Sequence, residues 1–389
     1  MDIASNVPEI SALELAVQLD AGEALQVIDV RPPGVVAAGR IDLVPPPRFR
    51  NIACSDLIAC PTLARTGIDP AIPATVVCSR GHDSRIAAVH LNRLGCRANS
   101  LRGGMAAWMM VVLGRDVATP PSLDRFIQFD RLGKGALGYL LASDGEAVFV
   151  DPPRDGTAYL RAAAQARARI VGVADTHVHA DYISGGPILA RTLQVPYYLH
   201  PRDALYPYDG TVGRVDFRAI EDGDTVRFGR CALRVLHTPG HTEGSVSYVL
   251  DDVAALTGDF IFVDSVGRPD LAGKTTEWTA DLWESLELVK RTWRSSLTIY
   301  PAHYASARER RPDGRVAASY GALLDANHAL TFTDPAAFAQ WVASQTTACP
   351  DAYRRIKAVN VGLLDVDEDA AEELEVGRNQ CGLAAAGKR

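Results

Sequence analysis

Two groups of residues in this 389-residue sequence have types and spacings that could do chemistry. The first is Cys78-Ser79-Arg80-Gly81-His82-Asp83-Ser84, which follows the apolar run ATVV and leads directly into a helical pattern. A tight turn between a strand and a helix aims successive backbone N–H groups inward and adds the positive end of the helix. A cysteine in that turn is favoured as a thiolate, and a persulfide or thiosulfate anion can be cradled beside it. Gly81 permits the curvature, while Arg80 and Arg85 add positive charge.

The second group is spread along the chain. THVHADYISGG at 176–186 sets His177, His179 and Asp181 at alternate positions with Tyr182 next, TPGHTEGS supplies His241, LTGD supplies Asp259 and YPAH supplies His303. Each of these four motifs closes an apolar, strand-like run, so a fold that gathers strand ends would gather imidazoles and carboxylates in one cleft. Neutral imidazole with carboxylate is the ligand chemistry of a metal centre.

The elements that must position these residues fall into two regions. Residues 1–115 alternate strand-like and helical stretches, with LQVIDV and ATVVCSR as strands and SALELAVQLD and DSRIAAVHLNRLG as helices, which predicts a small α/β domain. The Pro-rich stretch 116–122 reads as a linker. From 123 to 389 strands come first (FIQF, GYLLAS, EAVFVD), then a helix near 158–168 and the strand IVGVADTH ending on His177. An amphipathic helix near 279–293 carries Leu282, Leu286, Val289 and Trp293 at helical spacing, and from about 305 the chain turns helical. The acidic run VDEDAAEELE reads there as a solvated helix face.

Composition bounds the function. Forty basic residues stand against 47 acidic ones, a net charge of −7, so no basic stripe points to nucleic acid or to an anionic membrane. No run of about 18 apolar residues occurs, and the seven scattered cysteines suit a reducing compartment, so a cytoplasmic protein is expected. Association into a homodimer is left open.

The pattern CxxGxxS after a strand, with IDVR at 28–31 upstream and LRGGMAAW at 101–108 downstream, resembles the rhodanese family over nearly all of residues 10–112. That resemblance implies that Cys78 is a sulfur-accepting nucleophile, that residues 79–84 form its anion cradle, and that Asp29 and Arg31 are structural. A cysteine phosphatase, whose cradle is related, needs an arginine where this chain has Ser84. The segment RIDLVPPPRFRNIAC stands where rhodaneses carry a shorter stretch.

The four later motifs together resemble the metallo-β-lactamase superfamily from about 124 to 304. This implies an αββα sandwich, two sheets between helices, following the α/β rhodanese domain. Its usual HxHxDH motif ends here in Tyr182, which removes an imidazole from the second metal position and favours one metal. Among mononuclear members the resemblance is to persulfide dioxygenases. It implies Fe(II), one per chain with zinc as the alternative, held by His177, His241 and Asp259. His179, Asp181, Tyr182, Arg268 and His303 then act behind the ligands or toward substrate. Two imidazoles and one carboxylate leave three octahedral positions open, which suits iron meeting a sulfur substrate and O₂ together.

The function these resemblances imply is oxidation of a thiol persulfide such as glutathione persulfide to sulfite, coupled to sulfur transfer through a Cys78 persulfide. Thiosulfate or sulfite would be the further partner of that transfer. The alternatives are a zinc thioester hydrolase of the glyoxalase II type and a non-catalytic persulfide carrier.

Overall fold

The computed structural model describes residues 7–37 and 39–383. They form two compact units. One comprises residues up to 113 with 131–134 and 376–378, and the other comprises the rest.

The first unit is built on five parallel strands in the spatial order Glu9–Ile10, Ala98–Leu101, Ala74–Val77, Gln26–Asp29, Phe49–Asn51. Parallel strands need crossovers that cover both faces, so their residues are apolar on both sides. Val27 and Val77 face one core with Leu15, Leu101 and Trp108. Ile28, Val76 and Cys78 face the other with Ala87, Ala88 and Leu91 of the helix His82–Arg93.

The second unit is a sandwich of a seven-stranded and a six-stranded sheet. Alternation along its strands sets the layers. Tyr248, Leu250, Ala254 and Leu256 enter the core between the sheets, with Leu137, Tyr139, Val148 and Val150 opposite. The intervening Val249 and Ala255 turn the other way, onto Leu282, Leu286 and Val289 of the helix Thr275–Thr292. That is the αββα arrangement, and the three leucine and valine positions of the amphipathic helix are fully buried. No helix among the described residues is long and apolar enough to cross a membrane.

Two expectations need revising. The stretch 116–122 does not link domains. It lies between Val112–Asp116 and Arg125–Arg131, which are neighbours in the seven-stranded sheet, so its prolines mark a strand connection. The acidic run is not simply a solvated face either. It forms the helix Glu368–Leu374, but Glu375 just beyond is buried and accepts a hydrogen bond from the Ile183 N–H at 2.7 Å.

The GG of LRGGMAAW is explained by close backbone approach. Gly104 adopts φ +60°, and a Cβ there would lie 2.4 Å from the Cys78 carbonyl oxygen and 2.7 Å from the Ser79 carbonyl carbon. The same approach lets the Met105 and Ala106 N–H groups donate to the Cys78 and Ser79 carbonyls at 2.9 and 3.1 Å. Gly104→Ala is expected to destabilise the first unit by about 1–3 kcal/mol. Urea unfolding followed by Trp108 fluorescence would measure the loss.

Candidate metal centre and the Cys78 loop

The strand Arg169–Ala174 ends just before Thr176-His177, the strand Ala254–Gly258 just before Asp259, and the strand Thr298–Pro301 just before His303. His241 sits in the loop between Cys231–His237 and Val246–Leu250. The sandwich therefore brings all four motifs to one end of its sheets. His177, His241 and Asp259 are buried to 1% exposure or less, and their ligand atoms lie within 4.8 Å of one another. Asp259 Oδ2 is 3.5 Å from His177 Nε2 and 3.3 Å from His241 Nε2.

Each ligand is oriented from behind. His241 Nδ1 donates to the Arg268 carbonyl at 3.0 Å, so its Nε2 presents the lone pair. His177 Nδ1 meets the Thr176 hydroxyl at 3.0 Å, and that hydroxyl donates to the Asp151 carboxylate at 2.9 Å. His303 Nδ1 donates to Asp259 Oδ1 at 2.6 Å, leaving Oδ2 for the centre. His177 Nε2, His241 Nε2 and Asp259 Oδ2 make no hydrogen bond although all three are buried. Buried polar atoms are normally paired, and three orphans converging on one point fit a divalent cation. Burial pushes the His241 imidazole down to about 4. Burial and the neighbouring imidazoles hold His177 well below its ordinary value as well. Both are thus neutral ligands at physiological pH. Burial opposes the charge on His303, but the Asp181 and Asp259 carboxylates on either side push it up to about 10.

The remaining residues of the motif divide. Asp181 Oδ2 lies 3.1 Å from His303 Nε2. The His179 ring lies 4.3 Å from that of His177, with its Nε2 3.2 Å from Asp151 Oδ1 and 2.8 Å from the Tyr182 hydroxyl, whose ring stacks on it at 4.2 Å. Tyr182 thus occupies the position of the missing imidazole with a buried phenol that burial keeps protonated. The Arg268 guanidinium makes two 2.6 Å bonds to Asp270 and further bonds to Thr347, so its main-chain carbonyl is what serves the centre.

Several supports carry no motif of their own. Asp151, in the left-handed region at φ 52°, gathers the Thr176 N–H and hydroxyl and His179. Asp203 accepts from the Val178 and Gly244 N–H groups and the Thr242 hydroxyl. Asn360 donates to the His179 and Tyr182 carbonyls at 2.9 Å each and accepts from the Ser184 N–H. Nothing local marked Asn360 or Glu375.

In the first unit, Cys78 is 4% exposed at the end of its strand. The Gly81 N–H donates to its Sγ at 3.0 Å and the Ser84 hydroxyl lies at 3.3 Å, itself 2.8 Å from Ser100 Oγ. Gly81 caps the following helix at φ 92°, the left-handed conformation the turn requires. Ser84 is buried, whereas Ser79, Arg80, His82 and Asp83 are exposed around the loop mouth, and Arg85 reaches Glu9 at 4.0 Å. Asp29 and Arg31 form a buried pair, with Arg31 bonding onward to the Gly39 carbonyl.

A sandwich of two sheets between helices with His and Asp ligands at the strand ends defines a metal-dependent class. Residues 134–316 match the metallo-beta-lactamase superfamily, and the chain belongs to it. The mitochondrial persulfide dioxygenase of Homo sapiens is 33% identical over 41% of this chain, and the match spans 59% of that protein. A hydroxyacylglutathione hydrolase of Rhodopseudomonas palustris is 33% identical over 44% of this chain and 63% of its own length. A solved metallo-beta-lactamase from Staphylococcus aureus superposes with a TM-score of 0.55 at 28% identity, covering 62% of this chain and 74% of that one.

Asn360→Ala removes three bonds from the loop that carries His179 and Tyr182. It is expected to weaken metal binding by about 10–100-fold, measured by competition against a chelator. His241→Ala is expected to abolish metal binding at the three-ligand site, read as metal content by mass spectrometry.

Proposed function

We propose that this chain is an iron-dependent persulfide dioxygenase joined to a rhodanese-type sulfurtransferase unit. The observation that carries the reading is the ligand set, two neutral imidazoles and one carboxylate whose buried donor atoms converge while Tyr182 stands in for the imidazole of a second site. Iron held by such a set supplies redox chemistry with open positions for a sulfur and for O₂. Zinc has no redox step and would favour hydrolysis. The similarity to the human persulfide dioxygenase supports the first case and that to the hydroxyacylglutathione hydrolase the second. Tyr182 weighs toward the first, because a second metal is what ordinarily prepares hydroxide in the hydrolases.

The chain's own residues do the positioning. Thr176, the Arg268 carbonyl and His303 hold the three ligands by their outward atoms. Beside the centre, Val178, Arg202, Thr242, Lys274, Trp278 and Lys357 line a cleft of about 50 Å³. That is room for a carboxylate group, not a whole peptide. Lys357 is 1% exposed and lies over the Trp278 ring at 5.8 Å; burial lowers its pKa against the opposing pull of the Asp203 carboxylate, and in its protonated form it would meet an acidic thiol such as glutathione.

At Cys78 the thiolate attacks the outer sulfur of thiosulfate, forming the Cys78 persulfide and releasing sulfite with the electron pair of the broken S–S bond. A thiol such as glutathione then takes that sulfur as its own persulfide and returns the cysteine thiolate. The Gly81 N–H and the Ser84 hydroxyl stabilise negative charge on the sulfur. The persulfide so formed is the substrate of the metal centre, and the reverse direction consumes the sulfite made there.

Iron-loaded protein given glutathione persulfide is expected to consume O₂ and release sulfite, and the zinc-loaded form to do neither. Thioester cleavage by the zinc form without O₂ uptake by the iron form would move the centre to the hydrolases. Cys78→Ser is expected to lower thiosulfate:cyanide sulfur transfer at least about a thousandfold while leaving O₂ uptake from supplied persulfide near normal. Full transfer activity in that variant would overturn the assignment of the nucleophile.

A further inference from the structure

A second cysteine stands beside Cys78, unused by the reaction proposed above. The strands Gln26–Asp29, Ala74–Val77 and Phe49–Asn51 lie abreast, with Asp29 opposite both Val77 and Asn51. Their ends are bonded across the sheet edge: the Val30 N–H donates to the Val77 carbonyl at 2.8 Å, and the Val30 carbonyl accepts from the Cys54 N–H at 3.0 Å. Cys54 and Cys78 therefore leave the same edge of the sheet, their backbones two strand spacings or roughly 10 Å apart. Both side chains turn to the same face, where Cys54 packs against the cluster that holds Ile28, Val76, Cys78, Ala87 and Ala88.

The turn that cradles Cys78 touches both sulfurs. Ser84 Oγ lies 3.3 Å from Cys78 Sγ, and the carbonyl of the residue before it, Asp83, accepts from Cys54 Sγ at 3.6 Å. The two thiols differ in access. Cys78 is 4% exposed, whereas Cys54 is half-buried at the start of the helix Cys54–Ala59. Burial first, then the Asp83 carboxylate and the neighbouring Cys78, raise the Cys54 thiol. At rest Cys54 is therefore protonated and no rival for an anionic sulfur donor, yet a sulfur of high pKa is a strong nucleophile once its proton leaves. Cys54 also closes RIDLVPPPRFRNIAC, the segment in which this chain departs from the rhodanese pattern.

We infer that Cys54 is a relay cysteine, which takes the sulfane sulfur from Cys78 and presents it to a small thiol at the surface. A persulfide on Cys78 lengthens that side chain by about 2 Å, and Cys54 shares its face and its turn. The Cys54 sulfur attacks the outer sulfur of the Cys78 persulfide. A new S–S bond forms on Cys54, the old one breaks with its electron pair left on Cys78 Sγ, and the Cys54 proton is taken up by that leaving sulfur. No oxidant or reductant is consumed. The gain is access: a tripeptide thiol such as glutathione meets the sulfur on a half-buried residue and need not reach the floor of the loop. The inference rests on the sulfurtransferase reading of Cys78 and adds to it the residue from which the sulfur departs.

The test loads the intact chain with thiosulfate in the absence of any other thiol, quenches it with iodoacetamide and maps the added sulfur by peptide mass spectrometry. Sulfur is expected on Cys78 first and then on Cys54, but not on Cys60 or Cys349, the other half-buried cysteines. Cys78→Ser should leave Cys54 unlabelled. Cys54→Ser, checked for folding by circular dichroism, should load Cys78 and then release that sulfur to glutathione at least about tenfold more slowly. Sulfur on Cys54 in the Cys78→Ser chain, equal labelling of Cys60 and Cys349, or unchanged release from the folded Cys54→Ser chain would each overturn the relay. In the unmodified chain, where no variant has to fold, Cys78 loaded with Cys54 bare sinks the relay alone, and both bare removes the sulfurtransferase reading with it.

Discussion

Two imidazole lone pairs and one carboxylate oxygen, all out of reach of water, point at a common spot inside the sandwich. Without a cation this arrangement is unfavourable, because buried charge and buried polar atoms that lack partners each cost free energy. Much of the surrounding architecture is intelligible as the means of holding it. Thr176 and Asp151 fix the His177 ring, the Arg268 carbonyl fixes His241, and His303 fixes Asp259. Asp203 ties the His177 loop to the His241 loop by bonding to Val178, Thr242 and Gly244. The strained Asp151 backbone belongs to the same scheme.

The Cys78 loop rests on a different device. There the organising constraint is steric. Gly81 and Gly104 let two stretches of backbone pack where side chains would collide, and the carbonyls of Cys78 and Ser79 are satisfied by the helix Gly104–Met109. With those carbonyls turned back into the protein, the Gly81 N–H is left to face the sulfur. Electrostatic character at the cysteine thus follows from where two glycines stand.

Much of this was legible in the sequence because strands report themselves locally. His177, Asp259 and His303 follow apolar runs, so their placement at strand ends follows from pattern alone. The alternation in SVSYVL and the spacing of Leu282, Leu286 and Val289 likewise reveal layers. Asn360 and Glu375 were not legible. Their bonds reach back 176 to 192 residues in sequence, and no spacing rule links an asparagine in one helix to three main-chain groups in a distant loop. The run 116–122 misled because prolines mark strand connections as readily as domain boundaries.

The distance in sequence between the metal-bearing loop and its anchors has a consequence for biogenesis. His177, His241, Asp259 and His303 are all translated before Asn360 and Glu375 exist, yet the backbone from His179 to Ser184 is bonded to both of those residues. During synthesis there is an interval in which the ligands have emerged and the loop that presents them lacks its restraints. The bonded form of that loop is therefore complete only after the last helices of the chain have been made.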